Sequence, residues 1–334
     1  MAPLPPQPDD SCVASPVVNP MKLEFRLSIS PKPEFYSTVR LAALSLRKLG
    51  APYDCARIVV SVGDCVDLDT IRSANEWSED FPVEWRSVSH ELFRKQSYLA
   101  THNDRYFAPG GADFIVMCDS DICLVDRIDD LIARVGHPDR RIIAGLQAHF
   151  SPFPFDAAGN EAAWRRIFSA TGLGEPGLVM PYSGDPAEAM ERAPAYFNYG
   201  LVAFSREAFA AVAPLQSSYC LMARDLTNNS FFQTQVSLSL LLVATECDVE
   251  SLTFAHNCSN DDLPFRASDE FRIDSVGDIR VIHCLRDNQP DRRKFLVDPA
   301  AYAAFLSATN LNSVNKRLRD HVVTLSRHDD LLFR

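Results

Sequence analysis

Residues 112–125 read Ala112-Asp113-Phe114-Ile115-Val116-Met117-Cys118-Asp119-Ser120-Asp121-Ile122-Cys123-Leu124-Val125. The apolar run Phe114 to Cys118 has the length of a strand buried on both faces, the habit of parallel sheets. It stops at two aspartates one residue apart, and a second apolar run begins at once. Carboxylates set between hydrophobic segments need a compensating partner if they lose water. As the chain leaves the strand, Asp119 and Asp121 can face one bound cation, and their hard oxygens suit Mg²⁺ or Mn²⁺. A solvated turn is the plain alternative, because paired aspartates are common in loops.

Toward the N-terminus the pattern alternates. Leu23 to Ser30 reads as a strand, and Phe35, Val39, Ala42, Leu46 and Leu49 recur at helical spacing before a stop at Gly50. Arg57 to Val62 is a second strand, Asp67 to Trp77 a helix, Val83 to Val88 a third strand and Glu91 to Tyr106 a helix. Beyond the aspartates, a helix begins across Val125 to Leu131 and a strand spans Arg141 to Leu146. Periodicity then weakens from His149 to Arg192, with one helix around Glu161 to Ala170. A structureless loop of that length is unusual in a compact domain, so a partly folded lid or insertion is expected over the site. Tyr196 to Phe204 returns as a strand, Ser205 to Val212 and Asn229 to Val243 as helices, and Val249 to Phe254 and Arg280 to Cys284 as strands, before a charged tail.

This alternation predicts an α/β fold with a largely parallel central sheet flanked by helices. The expected division is a Pro-rich tail over 1–20, one domain over 21–290 with the insertion at 149–192, and a C-terminal helical extension over 291–334.

The whole chain narrows the function classes. Its 334 residues carry a formal charge of −11, which argues against broad nucleic-acid binding but allows a local basic pocket. No stretch approaches the roughly 18 apolar residues of a membrane span, and Val236 to Ala244 is too short. Residues 1–20 hold six prolines and lack the basic-then-apolar order of a secretory signal. Nine scattered cysteines without a paired spacing read as buried thiols of a reducing compartment, giving a cytoplasmic expectation.

The strand, the Asp-Ser-Asp motif and the following Asp129-Asp130-Leu131 helix start resemble the GT-A fold glycosyltransferases, especially the family 8-like group. Two later segments extend the resemblance to roughly residues 22–285. Tyr196-Phe197-Asn198-Tyr199-Gly200-Leu201-Val202-Ala203-Phe204 is similar to the family's Phe-Asn-x-Gly strand, and Val281-Ile282-His283 to its late strand with a metal-binding histidine. The resemblance implies a GT-A type sheet, with the insertion shaping the acceptor side. It implies a metal set of Asp119, Asp121 and His283, Asp121 acting most directly. Asp119 and Ser120 would also meet the donor. It places Ser28, Ser30 and Asp64 near the nucleotide base and ribose. Lys95 and Arg105 fall near the donor, Asn198 and Gln235 near the sugar, and Asn257 where the nucleotide site closes. Cys284-Leu285-Arg286 stands where the family carries a lysine segment, so Arg286 would take the diphosphate.

The implied reaction moves a sugar from a nucleoside diphosphate sugar to a hydroxyl of a glycan, protein or small molecule, with retention and with Mn²⁺ or Mg²⁺. Arg105, Asn198 and Gln235 would be its catalytic residues. An inverting reaction would need a base such as Asp185, Glu188 or Glu191. A haloacid dehalogenase-like phosphatase would use the same Asp-x-Asp pair, but here the pair follows three β/α units and Cys123 replaces the expected Thr or Val. A nucleotidyltransferase would carry a Gly-rich loop where Ser28-Ile29-Ser30-Pro31-Lys32 stands. A noncatalytic sugar-nucleotide-binding protein would differ only in turnover.

Overall fold

Every second residue of β1 (Leu23–Ile29) is apolar and faces one side, while Glu24 and Arg26 point to the other. A computed structural model describes residues 21–64, 67–107, 110–153, 158–184, 191–228, 232–284, 291 and 294–325. After β1 come α1 (Pro33–Leu49), β2 (Arg57–Val62), α2 (Leu68–Ala74), β3 (Val83–Ser87), α3 (His90–Gln96), α4 (Tyr98–Asp104) and β4 (Phe114–Cys118). Next are β5 (Ile122–Leu124), α5 (Asp129–Val135), β6 (Ile142–Gln147), α6 (Asn160–Thr171), β7 (Met180–Pro181) and β8 (Arg192–Ala193). The chain continues through β9 (Phe197–Ser205), α7 (Arg206–Leu226), α8 (Gln233–Ala244), β10 (Asp248–Ser251), β11 (Cys258–Ser259) and α9 (Leu263–Arg266). It closes with β12 (Val281–His283), α10 (Pro299–Ser307) and α11 (Ser313–Thr324).

The main sheet has the order β10-β6-β9-β4-β1-β2-β3. All its pairings are parallel except those of β9, which runs antiparallel between β4 and β6. The expected largely parallel α/β sheet is therefore present. Its central strand β4 alternates cleanly: Phe114, Val116 and Cys118 join the core under α1 and α5, and Ile115 and Met117 the core under α7 and α8. The carboxyl ends of β1, β2, β3, β4 and β6 share one edge, the usual ligand side of such sheets.

Several boundaries differ from expectation for identifiable reasons. The helix expected over Glu91 to Tyr106 is broken at Ser97, whose φ of 53° interrupts the hydrogen-bond ladder. Asp67 to Trp77 shortens to α2 followed by a 3₁₀ turn over Glu76–Asp80. The segment after Asp121 does not lead straight into a helix. Ile122–Leu124 first pairs with β12 in a second sheet of order β11-β12-β5, and α5 starts only at Asp129. The helix expected to end at Val212 continues to Leu226 through Pro214, because its partner α8 packs along it. The strand expected over Val249 to Phe254 stops at Ser251, and the helix expected from Asn229 starts at Gln233.

The middle segment is folded where it is described. Trp164, Ile167 and Phe168 of α6 close a separate cluster with Tyr182, Ala193, Tyr196, Val236 and Leu240. Tyr182 ties it together, donating to Asn160 Oδ1 at 2.5 Å and accepting from Trp164 Nε1 at 3.1 Å.

Where it is described, the expected C-terminal extension holds two docked helices. Tyr302 and Phe305 of α10 and Val314, Leu318 and Val322 of α11 belong to the main core. His321 of α11 reaches α1, its Nε2 3.0 Å from Ser45 Oγ, which lies 3.7 Å from Cys123 Sγ. Burial, then Lys48 and Arg317, depress the His321 pKa from 6.5 to about 4. The unfolded chain therefore takes up this proton first as pH falls. The contribution to stability is complete above 6.5, declines between 6.5 and about 4, and is lost below. Two to three pH units correspond to about 3 kcal/mol, and His321 is only 7% exposed. His321→Gln is expected to flatten denaturant midpoints across pH 6.5 to 4; an unchanged slope would refute the assignment.

Candidate functional site

β4 ends at Cys118, which pairs with Leu201 of β9, so Asp119 emerges beside Gly200. Three residues later β5 pairs antiparallel with β12, setting His283 opposite Ile122. The Cys284 amide donates to the Asp121 carbonyl at 2.9 Å, closing this edge. Asp119, Asp121 and His283 are thereby brought together, each offering a ligand atom within 4.8 Å of the others. His283 Nε2 is 3.3 Å from Asp121 Oδ1 and 3.7 Å from Asp119 Oδ2. The His283 side chain is 2% exposed, whereas Asp121 and Asp119 keep 24% and 44%.

A chain of hydrogen bonds fixes which imidazole nitrogen faces the carboxylates. The Gly200 backbone amide can only donate, and it does so to Asn198 Oδ1 at 2.8 Å. Asn198 Oδ1 is therefore an acceptor, and the Asn257 atom 3.2 Å from it is the donor Nδ2. That orientation turns Asn257 Oδ1 toward His283 Nδ1 at 2.9 Å, so Nδ1 carries the hydrogen. In neutral His283 the Nε2 lone pair is left facing Asp119 and Asp121, as metal-binding histidines require. Gly200 makes room for this relay. A Cβ there would lie 2.5 Å from Asn257 Oδ1 and closer still to His283 Nδ1.

Desolvation raises the Asp119 pKa, His283 opposes the shift, Asp121 adds to it and Arg105 opposes it. Two carboxylates and one imidazole lone pair form a hard donor set with one borderline nitrogen. It suits a divalent cation, and the imidazole favours Mn²⁺ over Mg²⁺.

Arg105 lies behind this cluster and is only 1% exposed. Its Nη1 donates to the Cys118 carbonyl at 2.9 Å, and its guanidinium lies 5.5 Å from the Tyr199 ring centre. Buried Arg26 of β1 in turn donates to the Arg105 carbonyl at 2.6 Å. His102, bonded to Arg105, is held well below the usual imidazole pKa by burial and by that cation. Arg105 thus sets its charge beneath the acidic edge through contact with protein groups.

The other expected residues are more scattered. Asn257 lies behind His283, and Asn198 lies beside Asn257. Ser120 is buried in the turn between the two aspartates. Ser30 follows β1, its Oγ 3.4 Å from Tyr98 OH, and Ser28 pairs in register with Ser61. Asp64 is exposed just beyond β2, with a φ of 64°. Gln235 sits half-buried in the first turn of α8, where its carbonyl accepts from Ser239 Oγ at 3.3 Å. Lys95 is exposed and donates to Glu91 at 2.7 Å. Among the described contacts, none joins Gln235, Lys95 or Asp64 to the acidic cluster. Glu191 is exposed; Arg286, Asp185 and Glu188 lie outside the described residues.

The sequence reading missed the brace around the second sheet. Asn312, the N-cap of α11, and Asn315 within it donate to the Asn260 carbonyl at 3.0 and 3.4 Å. Arg317 donates to the Ile279 carbonyl at 2.9 Å and lies 3.7 Å from Asp126. One helix therefore grips segments continuous with β5, β11 and β12. A separate cleft of about 570 Å³ lies at the opposite end of these strands, lined by Asp126, Asp130, Arg134, His256 and Arg280. Its arginines are paired internally, so the chemistry is better carried by the acidic cluster.

No family model and no curated protein matches the sequence. Solved structures do. An active-site mutant of LgtC has a TM-score of 0.55 at 11% identity, over 91% of this chain and 97% of its own. The galactosyltransferase LgtC in complex with donor and acceptor sugar analogues has 0.53 at 14%, over 91% and 97%. The apo bifunctional glycosyltransferase WbbM has 0.50 at 13%, over 95% of this chain and 52% of its own. At such identities the likeness concerns architecture. No helix among the described residues is long and apolar enough to cross a membrane. The chain has a GT-A-like α/β fold, resembling distant GT-A glycosyltransferases, with an Asp-x-Asp and histidine cluster at the ligand edge of its sheet.

Proposed function

We propose that this protein transfers a sugar from a nucleoside diphosphate sugar to a hydroxyl of a glycan, protein or small molecule, using Mn²⁺ or Mg²⁺ held by Asp119, Asp121 and His283. The observation that carries this reading is the relay from the Gly200 amide through Asn198 and Asn257 to His283, which prepares Nε2 as a ligand. A solvated acidic turn has no use for a buried histidine whose tautomer is set from behind.

Asp119, Asp121 and His283 would hold the divalent cation, which when bound would supply positive charge to offset that developing on the leaving diphosphate. The chain's own groups do the rest. Asp119, Asp121 and His283 fix one point of the donor, and Arg105 holds a buried positive charge behind them, stabilising the same end. With Asn198 Oδ1 occupied by Gly200 and Asn257, its Nδ2 is the group it can offer a sugar hydroxyl. In this reading Ser28, Ser30 and Asp64 border the nucleoside, Ser120 the diphosphate and Gln235 the sugar. Lys95 and Arg286 supply cations at the donor's rim. Asn257 acts as a positioning residue for His283. Transfer proceeds with retention, and the insertion shapes the acceptor side. The seven described free thiols fit a reducing, cytoplasmic setting.

Calorimetric titration with UDP- and GDP-sugars, with and without Mn²⁺, tests the donor site. Binding of a donor only with metal, accompanied by slow donor hydrolysis, is expected. Absence of binding under both conditions would overturn the reading, and binding without any turnover would leave a sugar-nucleotide-binding protein.

A further inference from the structure

The acidic cluster depends on two very short strands meeting in one register. β5 and β12 pair over three residues each, with Val281 opposite Leu124, Ile282 opposite Cys123 and His283 opposite Ile122. On its other side β12 makes only two pairs with β11. Side chains alternate between the faces of a sheet, so a slip of one residue would carry His283 to the face away from Asp119 and Asp121. At the end of the strands away from the cluster, the backbone alone does not settle the register. The Arg280 carbonyl accepts from two successive amides, Val125 at 2.8 Å and Asp126 at 3.2 Å. The Ala255 carbonyl likewise accepts from Arg280 at 2.7 Å and Val281 at 3.1 Å. Each carbonyl is shared by neighbouring residues, and either amide could serve as the last rung.

Side chains make the choice there. Arg280, which leads into β12, donates through Nη1 to Asp126 Oδ2, just past β5. Asp126 therefore meets Arg280 twice, once through its amide and once through its carboxylate. Its other oxygen, Oδ1, accepts from the Arg127 amide at 2.8 Å, which fixes the carboxylate in place. Arg317 of α11 arrives from a third direction. Its Nη2 donates to the Ile279 carbonyl at 2.9 Å and lies 3.7 Å from Asp126 Oδ2. One carboxylate thus stands between two guanidiniums, one leading into the strand that β5 must match and one on the helix that grips the approach to that strand. All three side chains are partly exposed, and a lone ion pair in such a setting adds little to stability. Between two registers that the backbone leaves nearly balanced, a small term is enough to decide.

We infer that Asp126, Arg280 and Arg317 are positioning residues, a clasp that fixes the register of β5 against β12 and so holds His283 on Asp119 and Asp121. This inference rests on the metal-dependent reading proposed above. Asp126 lies five residues after Asp121 and Arg280 three before His283, so the clasp touches none of the three ligands and acts on them along the strands. The relay through Asn257 sets which imidazole nitrogen is offered, and the clasp sets where the imidazole stands.

The test titrates Mn²⁺ alone into wild type, Asp126→Asn, Arg280→Gln, Arg280→Lys and the Asp126→Asn/Arg280→Gln double variant, with the His283 imidazole resonances followed by NMR. Asp126→Asn and Arg280→Gln are each expected to weaken Mn²⁺ binding roughly 3- to 10-fold and to shift the His283 resonances, with melting transitions close to wild type. Arg280→Lys keeps the charge and with it most of the affinity. The double variant falls no further than Asp126→Asn alone, because both substitutions remove the same interaction. Unaltered Mn²⁺ affinity in both single variants would overturn the clasp and leave the metal reading standing. Additive losses in the double variant or an unchanged His283 spectrum would also overturn it, as would collapsed melting transitions, which would make these residues supports of the whole fold. A wild-type protein that binds no Mn²⁺ would overturn the metal reading and the clasp together.

Discussion

Replacing Asp121 with alanine is expected to abolish metal-dependent donor binding while leaving the fold intact. Asp121 offers its carboxylate directly to the cluster, 3.3 Å from His283 Nε2. Its loss should exceed the roughly 10- to 100-fold effect typical of residues that only support a ligand. Stability should change little. The carboxylate is partly exposed beside a second one, Asp119, so removing it relieves like-charge repulsion. Calorimetric titration of Mn²⁺ and donor into the variant, alongside its melting transition, gives both quantities. Donor affinity equal to wild type would remove Asp121 from the site; a collapsed melting transition would instead make it a structural residue.

The second large effect is expected at a residue with no functional group. Gly200→Ala places a methyl carbon within 2.5 Å of Asn257 Oδ1 and against His283 Nδ1, both of which are buried. Neither side chain can retreat cheaply, because Asn257 is bonded to Asn198 and His283 is fixed in β12. Overpacking of this kind costs about 1–3 kcal/mol. The more telling result is functional: His283 must turn or shift, and Mn²⁺ affinity should fall by roughly 10- to 100-fold. The imidazole resonances of His283, followed by NMR with and without metal, would report the displaced ring. Unchanged metal affinity with an unchanged His283 spectrum would mean that the relay is not rigid.

Much of the main sheet was legible because each strand carried its own signal. Phe114 to Cys118 and Arg57 to Val62 have the bounds that their apolar runs suggest. Asp119, Asp121 and His283 were legible as types beside strands, and the second sheet joins them. That sheet itself was hidden. Ile122–Leu124 and Cys258–Ser259 are too short to show a period, and their pairing depends on residues far away in the chain. The break at Ser97 was hidden too, since nothing in Gln96-Ser97-Tyr98 forbids a continuous helix; contact with Gly63 decides it. Asn257 was visible as a polar residue of the site, but its service to His283 follows only from the direction of the Gly200 amide. Arg105 could be seen as a cation near the donor, whereas its burial behind Cys118 could not.

The grip of α11 and its cap on the segments flanking the second sheet also orders events in time. During synthesis Asp119 and Asp121 emerge early, His283 much later, and Asn312, Asn315 and Arg317 later still. At about 5–20 residues per second, the interval from Asp121 to Arg317 is on the order of ten to forty seconds. Early in that interval a nascent chain can pair β1 with β2 and β4, and β2 with β3, but β4 still lacks its partner β9, and the histidine and then the helix come later. The three side chains of the acidic cluster can thus meet only once His283 has been made, and the helix that braces their sheet follows later still.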